Sequence, residues 1–367
     1  MKPTLILPAL LLCFAVVSAQ DLDRKIQFPD VHGYKTLKCD FHIHTVFSDG
    51  QVWPNIRIEE ALRDGLDAIS LTEHIEYQPH KDDLPHPDRN RSFEVAKEYI
   101  KPYDLLLIHG AEITRRMPPG HANALFIQDV NAFKVGDSLE SYKLAGKQGA
   151  FIFWNHPNWI AQRKDGVATL TDFHKKLISQ DLLHGIEVVN DITFSEDAMK
   201  IAQEQNLTVM GTSDIHGLVD YQFNLSGGGH RPVTLVLARE KTEASIKEAL
   251  FAGRTVAWFD NVLVGKEPHL KLLLDSCLLF KNKGFIGDSK VLEVEIKNQS
   301  DARFILKNNS KYILQRQNDL VEILPHSTKT IQVITAKGNT ATDPLEFTVL
   351  NAVNAYRQNA VVKFGLK

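Results

Sequence analysis

The densest run of metal-ligand chemistry in the chain is Asp40-Phe41-His42-Ile43-His44-Thr45-Val46-Phe47-Ser48-Asp49-Gly50. The partly apolar stretch before it, 35–41, reads as a strand. His42 and His44 are two residues apart, so both imidazoles leave that strand on one side. Asp49 follows five residues after His44. Two imidazoles on one side, with a carboxylate five residues on, make a seat for a divalent cation. The bland alternative is a polar strand end with solvated histidines, and a short His/Asp pattern alone does not decide between them.

Four more places put ligand-type residues just after an apolar run. Residues 67–71 lead to Thr72-Glu73-His74, and 105–108 lead to His109-Gly110-Ala111-Glu112. Residues 151–154 lead to Asn155-His156-Pro157, and 207–210 lead to Asp214-Ile215-His216. His121 follows a Pro-Pro-Gly turn. Each alone reads as an ordinary hydrogen-bonded histidine or ion-paired acid. Gathered and buried together they would be costly unless cations neutralised them. The candidates are His42, His44, Asp49, His74, Glu112, His121, His156, Asp214 and His216, which suit two or three divalent metal ions. Imidazole with carboxylate and no thiolate fits Zn, Mn or Fe.

The elements that must position these residues alternate short apolar strands with amphipathic helices through residues 20–264. Helices are expected at 56–64, 93–99, 138–148, 170–179, 195–205 and 242–252. Near-continuous apolar strands between them imply a parallel α/β sheet covered by helices, and the number of units suits a closed barrel. In such barrels the C-terminal strand ends hold the site. No Gly-rich nucleotide fingerprint follows any strand. Residues 265–367 change texture: Leu292, Val294 and Ile296 alternate with charged residues, and 331–333 and 345–349 repeat the rhythm between turn signals, among them Lys337-Gly338-Asn339. A small all-β sandwich is expected there.

Residues 1–19 have a basic start, a short apolar run and a small-residue end, Val17-Ser18-Ala19, and read as a signal peptide. Export to the periplasm or medium is the expectation. A net charge of −3 gives no basic field for nucleic acid, and no later run is long and apolar enough for a membrane helix. Cys39 and Cys277 remain in the mature chain; exported cysteines can pair, but their separation reads as two separate thiols.

The five motif spots, His42-Ile43-His44-Thr45 with Ser48-Asp49-Gly50, Thr72-Glu73-His74, Gly110-Ala111-Glu112, Asn155-His156-Pro157 and Ser213-Asp214-Ile215-His216, resemble the PHP (polymerase and histidinol phosphatase) family over roughly residues 38–217. The appended sandwich is more similar to exported PHP phosphodiesterases. The resemblance implies a distorted seven-stranded barrel and a trinuclear site. His42, His44, Glu112 and Asp214 would hold one ion. Glu112 would bridge to a second, held by His121 and His156, and Asp49, His74 and His216 would hold the third. It implies hydrolysis of a phosphate ester, a diester before a monoester, through a metal-bridging hydroxide, with Asp214, His216 and Glu112 as catalytic groups. Arg115, Arg116 and Arg231 are candidates to grip phosphate oxygens. Trp53, Trp159 and Tyr77 are candidates to line the pocket, and His80 or His86 to protonate a leaving group. The expected partner is a small-molecule phosphoester. The alternatives are a metal hydrolase of a non-phosphorus ester or amide, and a glycan- or surface-binding protein with an inert barrel.

Overall fold

The computed structural model describes residues 25–335 and 343–366. The signal-peptide stretch at 1–19 and the turn at 337–339 lie outside the described residues. The first domain contains strands β1 (Lys35–Asp40), β2 (Ala68–Leu71), β3 (Leu106–Ile113), β4 (Ala122–Leu125), β5 (Phe151–Trp154), β6 (Gly185–Asn190), β7 (Thr193–Phe194), β8 (Thr208–Thr212), β9 (Val233–Ala238), β10 (Thr255–Phe259) and β11 (Val262–Val264). Its helices are α1 (Pro54–Arg63), α2 (Arg91–Tyr99), α3 (Ser138–Lys147), α4 (Asp172–Ser179), α5 (Glu196–Glu204), α6 (Val219–Gln222) and α7 (Glu243–Phe251).

Local chemistry sets the helix starts. Pro54 opens α1, where its missing N–H costs nothing. Asp137, Thr171, Ser195 and Thr242 cap α3, α4, α5 and α7 by accepting from the N–H three residues on.

The strands run in the spatial order β9-β1-β2-β3-β4-β5-β6-β8. β1, β2 and β3 are parallel, as are β5, β6 and β8. Within this largely parallel barrel β4 and β9 run antiparallel to their neighbours. The segment joining β3 to β4 contains no helix, and a parallel pair needs such a crossover.

Among the described residues, no backbone ladder joins β8 to β9 or β10. Threonine hydroxyls close the gap instead. Thr234 Oγ1 donates to Gly211 O at 2.7 Å and accepts from Gly211 N at 3.0 Å, and Thr255 Oγ1 donates to Val209 O at 2.6 Å. The approach requires glycine, since a Cβ on Gly211 would stand 2.6 Å from Ala257 Cβ. α7 seals the barrel end opposite the strand C-termini, with Ile246, Ala249 and Leu250 clustered against Leu37, Phe151, Phe153 and Met210.

Helix α8 (Glu267–Cys277) leads to the second domain. One sheet holds β12 (Leu278–Phe285), β13 (Val291–Asn298), β15 (Ile313–Gln315) and β17 (Thr328–Ile334). The other holds β14 (Phe304–Asn308), β16 (Leu320–Ile323), β18 (Leu345–Ala355) and β19 (Gln358–Phe364). Leu292, Val294 and Ile296 are buried while their neighbours along β13 face outward, as their alternation requires. β11 pairs in parallel with β18, Leu263 opposite Ala352, so one sheet continues from barrel into sandwich. Cys39 and Cys277 are separate buried thiols.

Candidate metal centre

Extension of the strands brings all nine candidate ligands to one end of the barrel. His42 and His44 follow β1, His74 follows β2, Glu112 lies near the end of β3, and His121 immediately precedes antiparallel β4. His156 follows β5, and Asp214 and His216 follow β8. The β1 and β8 extensions are themselves joined, His44 N donating to Ile215 O at 3.1 Å.

Three groups of ligand atoms form. Asp214 Oδ1 is 3.1 Å from both His42 Nε2 and His44 Nε2. Asp49 reaches His216 Nε2 at 3.2 Å and His74 Nε2 at 3.3 Å, with His44 Nδ1 at 3.6 Å. Glu112 Oε1 is 2.9 Å from His121 Nδ1, and Oε2 is 2.6 Å from His74 Nδ1. His156 stands further off, Nε2 3.7 Å from Glu112 Oε1. The three groups able to hold an ion are thus His42–His44–Asp214, His44–Asp49–His74–His216 and His74–Glu112–His121. They differ from the expected sharing in placing His74, rather than His156, beside Glu112 and His121.

The donor set fits divalent cations. Glu112 Oε2 is buried and accepts no hydrogen bond, although imidazole nitrogens of His74, His44 and His42 stand 2.6, 3.5 and 3.7 Å away. His74 Nδ1 instead meets Thr114 Oγ1 at 2.7 Å. A shared cation would satisfy that orphaned oxygen. His42 Nε2 and His44 Nε2 lie 3.1 Å apart, and a cation between them is the natural reason to crowd two imidazoles at zero exposure.

Charge explains the proton affinities. Burial and the neighbouring His216 and His74 push His44 down to about 3, leaving it neutral, as a ligand must be. Burial opposes protonation of His74 as well, yet the Glu112 and Asp49 carboxylates overcome it and raise it to about 10. Burial alone would raise Glu112 and Asp214, but the imidazoles around them hold both well below the carboxylate range.

The second layer contains residues the sequence reading passed over. Glu187, buried in β6, accepts from His42 Nδ1 at 2.7 Å, Thr212 Oγ1 at 2.6 Å and His156 N at 2.6 Å. Its bond to Nδ1 fixes the tautomer that leaves His42 Nε2 facing the centre. The available signal was a lone acid in the apolar run Ile186-Glu187-Val188-Val189. Glu73 organises the Thr45–Gly50 loop, accepting from Thr45 Oγ1 at 2.5 Å and Ser48 Oγ at 2.6 Å. Asn155 Nδ2 donates to Glu112 Oε1 at 2.9 Å.

The arginine candidates lie elsewhere. Arg231 is fully buried and pairs with Asp64 at 2.8 Å and Asp40 at 3.3 Å, so it cannot meet a substrate. It acts through Asp40, whose Oδ2 accepts from Ser213 Oγ at 2.5 Å and so sets the turn before Asp214. Arg115 is held by Glu76 at 2.8 Å and Ser141 Oγ at 3.0 Å. Arg116 is exposed outside the cavity. His86 is buried against Phe47 O and Gln78 Oε1. Trp53 packs edge-on against Phe47, and Tyr77 against His74.

Above the ligands opens a cavity of 310 Å³ whose walls include Trp159, Asn190, Asp191, Thr193 and Gln222. Among the described residues no lysine or arginine lines it. A second cavity of 260 Å³ adjoins it across His156, Trp159, Asn190 and Thr193.

A barrel with imidazoles and acids converging at its strand C-termini, capped by a neutral-to-acidic cavity, defines a candidate metallohydrolase centre. The comparisons with known proteins agree. A crystal structure of a two-domain Bacteroides vulgatus protein containing a PHP-like metal-dependent phosphoesterase is 39% identical, covers 93% of this chain and 98% of its own, and superposes with a TM-score of 0.88. The chain therefore belongs to the PHP-like metal-dependent phosphoesterase family, in its two-domain form. Residues 278–365 match a family described as an Ig-like domain. An uncharacterized protein of Methanocaldococcus jannaschii is 34% identical over 85 residues, which span 23% of this chain and 36% of that protein. A candidate metal-dependent phosphoesterase from Bifidobacterium adolescentis is a looser likeness, 17% identical over 50% of this chain and 89% of its own, with a TM-score of 0.40.

Proposed function

We propose that the protein is an exported phosphodiesterase acting on a small substrate with an organic arm on each side of phosphorus. The observation that carries the reading is the convergence of the nine side chains beneath a cavity free of lysine and arginine among the described residues.

His42, His44, Asp49, His74, Glu112, His121, His156, Asp214 and His216 would hold two or three ions, with Zn, Mn or Fe suited to these donors. Bound there, such ions supply Lewis acidity, acidifying water and neutralising phosphate oxygens. Asp214 lines the cavity as an ionised carboxylate, where it would hold an ion and accept a hydrogen bond from an attacking water. His216 also lines the cavity, its side chain 35% exposed. Its Nε2 faces Asp49 at 3.2 Å and its Nδ1 faces Asp214 O at 2.7 Å, so beside an ion it would orient the substrate rather than donate a proton. Glu112 has no exposure and would act by joining the ions that its two oxygens face.

A monoester dianion is served by cationic side chains beyond the metals, and none of the described residues lining this cavity is one. A diester carries less charge and needs room on both sides of phosphorus, which the adjoining 260 Å³ cavity supports.

The test compares bis(4-nitrophenyl) phosphate, 4-nitrophenyl phosphate and 4-nitrophenyl acetate on metal-loaded and chelator-stripped protein. The diester is expected to be the best substrate and chelation to abolish its turnover. A preference for the monoester ends the diester reading, and turnover of acetate alone ends the phosphoesterase reading. Sequencing the N-terminus of protein recovered outside the cytoplasm tests export, with Gln20 as the expected start.

A further inference from the structure

We propose that one arm of the substrate is polyhydroxylated, a sugar or polyol, seated against Trp159 and read by Asn190, Asp191 and Gln222. The inference rests on the phosphodiesterase reading and names its substrate class.

Four observations carry it. The first is the aromatic platform. Trp159 is 44% exposed and lines both cavities beside the ligands. Its ring meets His156 edge-on at 5.1 Å and His121 at 5.6 Å, 60° from parallel, so its plane is fixed by the two histidines rather than left to swing. An exposed, oriented indole offers an apolar face with fixed geometry.

The second is the balance of donors and acceptors facing it. Asn190 spends its amide N–H groups on Glu187 Oε2 at 2.8 Å and Asp214 Oδ2 at 3.4 Å, which leaves its carbonyl oxygen as the free function. Asp191 Oδ1 accepts from Gln222 Nε2 at 2.5 Å, and among the described residues its Oδ2 has no partner. Gln222 keeps its own carbonyl oxygen and one N–H. Acceptors outnumber donors, with a donor or two interspersed. Hydroxyl groups, which donate and accept, complement that wall.

The third is that the wall is held in place. Asp191 sits at φ +50° in the turn between β6 and β7, and its N–H donates to Thr212 O at 3.1 Å. An Asp tolerates this left-handed conformation where most residues do not. The carboxylate is therefore presented by a backbone tied to Thr212, the last residue of β8 and two residues before Asp214.

The fourth is what the walls lack. With no lysine or arginine among the described residues lining it, the cavity offers a second phosphate no cationic side chain. With one indole among the described lining residues, a quaternary ammonium lacks the several faces of an aromatic cage.

The experiment uses full-chain, metal-loaded protein and a set of 4-nitrophenyl phosphodiesters whose second arm is methyl, hexosyl, choline or thymidine, read as kcat/KM for 4-nitrophenolate release. The hexosyl diester should exceed the methyl diester by roughly tenfold, the size of a gain from a few directed hydrogen bonds. Asp191→Asn and Trp159→Ala should each reduce that hexosyl-to-methyl ratio several-fold, and Trp159→Phe should restore part of it. Equal rates for hexosyl and methyl arms, a ratio unmoved by either variant, or a better choline or thymidine diester overturns the proposal. No 4-nitrophenolate from any diester is instead the failure of the phosphodiesterase reading. The subsite is then read without chemistry, by titrating tryptophan fluorescence with methyl glucoside: saturable quenching lost in Trp159→Ala supports the sugar site, and no quenching in the unsubstituted protein overturns it.

Discussion

Glu187 Oε1 accepts a hydrogen bond from His42 Nδ1 at 2.7 Å across 145 residues of sequence. The same carboxylate holds the backbone N–H of His156 through its other oxygen. One side chain thus orients one candidate ligand and seats the backbone of another. Glu187→Gln keeps the shape and removes the charge. Partners of this kind typically contribute 10–100-fold to metal affinity, so a loss of about that size is expected, with activity recovering at high metal concentration. Metal titration followed by turnover checks it. Unchanged metal affinity would mean that Glu187 serves the fold alone.

Arg231 provides the contrasting case. Breaking a buried ion pair from one side leaves its partner charge unmatched, at a cost of about 3–5 kcal/mol. Arg231→Gln is therefore expected to lower the unfolding free energy by about that amount, because Asp40 and Asp64 both lose their guanidinium. The KM of the folded fraction should barely move. Denaturant unfolding beside steady-state kinetics separates the outcomes, and a raised KM with unchanged stability would return Arg231 to the substrate.

These two residues mark the limit of what the sequence made legible. Most of the ligands were visible because they follow an apolar strand run, and strand ends in a barrel meet by construction; His121, after a Pro-Pro-Gly turn, is the exception. The sandwich was visible because Leu292, Val294 and Ile296 alternate strictly. Arg231 was misplaced because nothing in the residues around it specifies a buried carboxylate partner. Its real partner, Asp40, is 191 residues away and can be identified only after folding. The pairing of β11 with β18 is hidden for the same reason, since no local pattern specifies a neighbour 89 residues on (Leu263 to Ala352). The closure of β8 by threonine hydroxyls is equally non-local.

A pH dependence of stability follows from His109. Its ring stacks on Phe93 at 3.9 Å, and its buried Nε2 has no hydrogen-bond partner. Burial pushes its pKa from 6.5 down to about 4. Between those values the unfolded chain binds a proton that the folded chain does not, so stability rises with pH through this window. The contribution is complete above about 6.5 and is lost as pH falls towards 4, by about 2–3 kcal/mol at most. His109→Phe should flatten the slope of the unfolding midpoint between about pH 4.5 and 6.5 relative to the parent. An unchanged slope would assign the acid sensitivity to other groups.

Gly211→Ala tests the closure of the barrel. The new Cβ would lie 2.6 Å from Ala257 Cβ and 3.2 Å from Val233 O. Overpacking of this kind costs about 1–3 kcal/mol. Because Gly211 also shares both its N–H and its C=O with Thr234, β8 should shift as a unit and carry Asp214 with it. Both thermal stability and turnover are expected to fall. A stability loss with full turnover would show that Asp214 is positioned by Asp40 and Ser213 alone.

The last prediction concerns Arg57, a buried guanidinium on α1 that reaches the seam between the β1 and β8 extensions. Its Nε donates to His44 O at 2.9 Å, and its Nη2 donates to His216 O at 2.8 Å and Ile215 O at 3.3 Å. Glu60 balances the charge through Nη1 at 2.7 Å. One planar group thus ties together the backbones of two candidate ligands from opposite ends of the barrel sequence. Lysine carries the same charge but cannot present a fork, so Arg57→Lys leaves at least one of these carbonyls without its donor. Each buried hydrogen bond to a charged group contributes about 1.5–3 kcal/mol, which sets the expected loss of stability. The sharper expectation is functional: His44 and His216 lose their fixed spacing, so metal bound between them should dissociate faster even where the variant remains folded. Comparing metal release rates of Arg57→Lys and Glu60→Gln isolates the effect. Glu60→Gln removes the balancing charge yet keeps the guanidinium on both carbonyls, so only the lysine variant should release metal quickly. Equal release from the two would mean that the charge of the pair, and not the fork, holds the seam.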